Sequence, residues 1–106
     1  MMKKILPDAE RDQLVLAFRA LSNPNRLAIY MEVLELEETE VPSCPLGALV
    51  DLLDIGAPTI SHHIKELLGA GLIDVERQGK FIRARIKPQM RQRLAAFFAR
   101  DAASTA

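Results

Sequence analysis

Two adjacent histidines and a single cysteine are the only imidazole and thiol groups in this 106-residue chain, and their spacing limits the chemistry they can do. His62 and His63 point about 100° apart if they lie on a helix, so they cannot close on one ion together. His62 and Glu66, one turn on, make a weak pair of ligands at most. Cys44, set between Pro42-Ser43 and Pro45, has no second thiol with which to form an internal disulfide. It is a candidate redox or electrophile sensor, pairing across a dimer, or a small half-buried residue. No serine or cysteine is paired with a base, and the carboxylates fall on solvent-facing helical positions, so the chain is not expected to be an enzyme. No cofactor and no metal are expected. What remains is hydrogen bonding and charge. Pro58, Thr59, His62, Lys65 and Glu66 share one side of a helical pattern with Ser61 at its edge, and Arg77, Lys80, Arg83 and Arg85 follow in an alternating segment.

The elements that would carry these residues are readable from periodicity. Asp8 to Leu21 is an amphipathic helix with Leu14, Val15, Phe18 and Leu21 as its apolar face. Ser22-Asn23-Pro24 ends it and starts another, because Asn23 can cap the free amides of a new helix and Pro24 suits its first position. That second helix runs from Pro24 to about Glu37, with Leu27, Ile29 or Tyr30, Met31 and Leu34 inward. Glu37 to Pro45 is a loop, since its charges and prolines oppose regular structure. Leu46–Leu53 and Ala57–Ala70 are two helices joined by a short glycine turn, a helix-turn-helix pattern. In the second of them Ile60, Ile64, Leu67 and Leu68 face the core, His63 sits at the border as a packing or hydrogen-bonding residue, and the polar set faces outward. Leu72–Arg77 and Lys80–Ile86 alternate around Gln78-Gly79 as a hairpin with a basic tip. A last helix opens at Pro88 with Met90, Leu94, Phe97 and Phe98 as its apolar face, and residues 101–106 are a tail expected to fray.

The length suits one domain over residues 1–106 with a modest core. No apolar run approaches the roughly 18 residues of a membrane span, and neither a secretion signal nor a disulfide pattern is present, so a cytoplasmic location is expected. Formal net charge is zero, but it is unevenly distributed. Residues 1–55 hold five Lys/Arg against ten Asp/Glu, whereas residues 56–106 hold nine against four. A basic face is therefore available if the fold gathers the second half on one side.

The order helix, helix, short helix, second turn helix, hairpin, helix is that of a mainly α winged helix-turn-helix domain with a small β-hairpin. Three separated motifs then resemble the ArsR/SmtB family of bacterial repressors: Phe18-Arg-Ala-Leu-Ser-Asn-Pro-Asn-Arg-Leu27, Pro58-Thr-Ile-Ser-His-His-Ile-Lys-Glu-Leu67, and Ala70-Gly-Leu-Ile73 followed by the Gln78-Gly79 turn. The resemblance covers residues 14–87 in order. It implies a homodimer, built from the first and last helices, that binds an inverted repeat in double-stranded DNA and leaves when an effector arrives. The family's base-contacting positions fall on Ala57, Pro58, Ser61 and His62. Thr59 and Lys65 are expected phosphate contacts, with Arg77, Lys80 and Arg83 reaching the neighbouring backbone or minor groove from the wing. Leu14, Phe18, Leu94, Phe97 and Phe98 form an apolar stripe in excess of one small core, assigned to the dimer contact. A winged helix that binds protein instead of DNA is the alternative, favoured by the acidic first half.

The family resemblance also bears on the effector. Arsenic sensors of this kind carry a cysteine pair before the turn, where this chain has one cysteine in Pro42-Ser-Cys-Pro-Leu-Gly-Ala-Leu49. Zinc sensors use Asp and His pairs on the last helix, and Met90 to Arg100 contains neither. The expectation is a non-metal effector, or none, with regulation by the protein's own abundance.

Overall fold

The computed structural model describes residues 6–38, 44–79 and 81–104. Helix α1 (Asp8–Leu21) carries Asp8 and Glu10 in its first turn and Arg19 in its last, which matches side-chain charge to the helix dipole at both ends. At its end Ser22 Oγ donates to the Arg19 carbonyl at 2.8 Å. Asn23 then caps α2 (Pro24–Glu38) as the sequence predicts, its Oδ1 accepting the amides of Asn25 and Arg26 at 2.9 and 3.1 Å.

The two helices meet the core on faces that match the expected ones in part. On α1 the buried residues are Leu14, Ala17 and Ala20, while Val15 turns outward and Phe18 and Leu21 are half-buried. The two alanines let α1 lie close against its neighbours. On α2 the core side chains are Ile29, Tyr30 and Val33, and the expected Leu27 and Met31 are exposed. Apolar and polar residues are mixed all round this helix, so periodicity alone cannot choose its inward face.

A two-residue strand β1 (Cys44–Pro45) follows where a loop was expected. It pairs antiparallel with Ala84 and Arg83, at the edge of a sheet ordered β1-β3-β2. An edge position tolerates Pro45, which lacks an amide to donate. Beyond the end of β1, the Glu37 carboxylate accepts the Ile86 amide at 2.8 Å and takes over the role of a neighbouring strand.

Helices α3 (Leu46–Leu53) and α4 (Ala57–Gly69) are joined through Asp54, whose φ of 53° is left-handed, and through Ile55-Gly56. Helix α4 closes with Leu72 N–H on the Leu67 carbonyl and Gly71 N–H on that of Leu68, both 3.1 Å, a double bond pattern that requires Gly71 at φ +76°. Strands β2 (Ile73–Gln78) and β3 (Phe81–Ile86) form the predicted hairpin, with Ile73 opposite Ile86 and Gln78 opposite Phe81 around Gly79. Ile29, Val33, Leu49, Ile60, Leu67, Leu72 and Ile73 are fully buried where α2, α3, α4 and the sheet converge. Helix α5 (Pro88–Ser104) adds Met90 to this core and continues helical through Ser104, past Asp101, where fraying was expected to begin.

Candidate nucleic-acid interface

Helix α4 has two sharply different sides. Ile60, His63, Ile64 and Leu67 are buried, and Ala57, Pro58, Thr59, Ser61, His62 and Lys65 are all exposed. Every α4 position expected from the sequence to meet DNA is thus presented to solvent on the first two turns. These side chains are short or flexible, so the helix backbone can approach a groove closely. His62 Nε2 lies 3.9 Å from the Glu66 carboxylate one turn on.

The buried side is clamped as well as packed. His63 is only 7% exposed, and its Nδ1 accepts from the Arg26 guanidinium at 3.4 Å. Arg26 in turn donates through Nε to the Ala20 carbonyl at 2.7 Å. One arginine of α2 thereby ties the end of α1 to the back of α4. Burial holds the His63 pKa below its usual value, the Arg26 and His62 charges push the same way, and Glu66 opposes them. A neutral imidazole is what the contact needs, because an imidazolium would face a guanidinium.

The hairpin is less uniformly basic than its sequence suggests. Directly opposed residues of an antiparallel pair share a face, so Asp74 stands against Arg85 and Glu76 against Arg83. Arg85 closes on Glu76 at 3.0 Å. Arg77 is exposed and Arg83 half-buried, and Lys80 lies outside the described residues, as does the Cys44 side chain.

The apolar stripe assigned to the dimer contact divides in two. Leu14 is 5% exposed and belongs to the protomer's own core, because its helical phase matches Ala17 and Leu21. Phe18 and Leu94 are half-buried against that core. Phe97 and Phe98 are 39% and 64% exposed, and Val15 and Leu16 extend the exposed apolar surface along α1. Phe18, Phe97 and Phe98 form an edge-to-face cluster with ring centroids 5.3 to 5.8 Å apart, which fastens α5 to α1. Arg93 also donates to the Gln13 side-chain carbonyl across the same pair of helices. Among the described residues no group of three His, Cys, Asp or Glu side chains is placed to hold a metal ion, and no helix is long and apolar enough to cross a membrane.

With this geometry in hand, the comparisons with known proteins are consistent. A family model described as a helix-turn-helix domain matches residues 21–76. The transcriptional repressor SmtB of Mycobacterium tuberculosis is 40% identical over 68 residues, which cover 64% of this chain and 46% of that protein. The chain therefore spans about half the length of the curated relatives it matches. An ArsR-like transcriptional regulator from Rhodococcus sp. RHA1 superposes with a TM-score of 0.73 at 22% identity, covering 93% of this chain and 85% of that one. A homodimeric winged helix-turn-helix DNA-binding domain from Mycobacterium bovis gives a TM-score of 0.69 at 22% identity, covering 96% and 89%. The chain belongs to the helix-turn-helix domain family. Its fold is that of the winged helix-turn-helix domain and the ArsR-like regulator on which it superposes.

Proposed function

We propose that this protein is a transcriptional repressor that binds an inverted-repeat operator in double-stranded DNA as a homodimer and is released by a non-metal effector. The observation that carries the reading is the α4 face, where six residues of the expected contact set are exposed while the opposite side is buried and clamped by Arg26. A helix held this way can enter a major groove without moving on its base. Ser61 and His62 read base edges there, Ala57 and Pro58 offer apolar contact to a thymine methyl, and Thr59 and Lys65 hold phosphates. Arg77, Lys80 and Arg83 reach the flanking backbone from the wing. The exposed Phe97 and Phe98, with Val15, supply the surface for a second copy, which sets two α4 helices about 34 Å apart for successive grooves. The relative's name as a repressor and the neighbour's description as a homodimeric DNA-binding domain support this assignment. Cytoplasmic action follows from it.

The test is selection of bound fragments from random-sequence duplex with the purified protein and with His62→Ala. Enrichment of an inverted repeat with half-sites one helical turn apart, degraded at one or two positions per half-site by the substitution, is expected. Failure to enrich any sequence would refute the operator and shift the reading to a protein-binding winged helix.

A further inference from the structure

The cations on the expected DNA face are few. On the hairpin Arg85 is bound to Glu76, Arg83 stands opposite the same carboxylate and Arg77 is exposed, and the exposed side of α4 offers Lys65 and His62 beside Glu66. Phosphate contacts supply most of the affinity of such domains, so positive charge should be found next to α4 as well. An open cleft of about 530 Å³ lies there, between the end of α1, the start of α2 and the exposed flank of α4, lined by Arg19, Arg26, His62 and Glu66 among others. Among the described residues no carboxylate pairs with Arg19, which is exposed on the last turn of α1. Arg26 is held in place by the Ala20 carbonyl and His63, so its charge is fixed before any ligand arrives. His62 lines the cleft and also belongs to the α4 contact set, so the two surfaces are continuous.

We propose that this α1–α2 corner is a second DNA contact, in which Arg19 and Arg26 hold a backbone phosphate flanking the groove that α4 enters. The inference rests on the DNA-binding reading above and enlarges the footprint from α4 and the wing to a third element. Arg19 acts as a charge on an exposed stem, and Arg26 as an ordered guanidinium behind it. Such a contact carries no base information, so it strengthens binding to every sequence alike.

The experiment is fluorescence anisotropy of the full chain against a selected operator duplex and a scrambled duplex over a range of salt. Arg19→Gln is expected to flatten the plot of log affinity against log salt by about 0.9, the yield of one lost phosphate contact. It should lower affinity by the same factor on both duplexes. Arg19→Lys should restore the slope, because a point charge suffices at a phosphate. Arg11→Gln, which removes a charge paired with Asp8 at the far end of α1, should leave the slope unchanged. A parental slope for Arg19→Gln, with the parent binding normally, would overturn the contact and leave the DNA-binding reading intact. Absence of binding by the parent to either duplex would overturn both. Weakening of the parent but not of Arg19→Gln by inorganic phosphate at constant ionic strength, with equal salt slopes, would assign the cleft to a free anion and overturn the DNA contact.

Discussion

Phe98 gives the sharpest test of the proposed contact between two copies. Its side chain is 64% exposed on α5 although it touches Phe18 and Phe97. A phenylalanine buries about 200 Å², so roughly 130 Å² of Phe98 is left for a partner to cover. At about 25 cal/mol per Å² that is about 3 kcal/mol, of which an alanine methyl would recover about 1. A two-fold contact counts the loss in both copies, giving about 4 kcal/mol per dimer for Phe98→Ala and a rise in the dimer dissociation constant of about 1,000-fold. The folded protomer would lose only its two edge contacts, about 1 kcal/mol each. Sedimentation equilibrium over a range of concentration reads the dissociation constant, and urea unfolding at a fixed low concentration reads the protomer. A dimer unchanged within about threefold would refute the placement of Phe98 in the contact.

Leu14→Ala separates core from interface: about 3 kcal/mol of protomer stability should disappear in urea titration, while the folded fraction keeps the parental dimer constant. Asn23→Ala removes the acceptor of two α2 amides and should cost about 1 kcal/mol, read as a lower urea midpoint with an unchanged denaturant slope. Acidification should destabilise the protein through His63. Its folded pKa lies below 6.5, so the unfolded chain takes up a proton first, and stability falls as pH drops through 6.5 until the folded form also titrates. His63→Gln should flatten the urea midpoint over that window, and a parental pH profile in the variant would count against a buried neutral imidazole.

Helix ends were legible in the sequence wherever a residue has one strong local preference. Asn23-Pro24 starts α2, and Gly71 and Gly79 mark the end of α4 and the hairpin turn, because cap chemistry and left-handed φ act within a few residues. The outward set on α4 was legible for a related reason, since Ile60, Ile64 and Leu67 fix the inward side and leave the polar residues no alternative. The facing of α1 was legible in part. Ala17 and Ala20 are too small to register in a stripe of large apolar residues, yet their size is what lets the helix pack closely, so Val15 was counted on the inward face and Leu14, buried in the protomer, was also given to the dimer contact. Strand β1 was invisible because two residues have no period and one is a proline. The corner formed by Arg19 and Arg26 went unread because the motif around Asn23 tells how two helices join and not which third helix they flank. The Glu37 contact with Ile86 is tertiary in the same sense, linking positions 49 residues apart.

The Asp74, Glu76, Arg83 and Arg85 ladder on the hairpin has a kinetic meaning if the protein searches for an operator. A wing in which Arg83 and Arg85 face carboxylates within the sheet, leaving Arg77 exposed, releases fewer counterions on arbitrary duplex, so each wrong site detains the protein more briefly. With millions of such sites competing, a short dwell on each leaves a larger share of molecules free to reach the right one. Neutralising the wing against itself thus trades grip for turnover between sites, and a low copy number can then suffice to keep one promoter occupied.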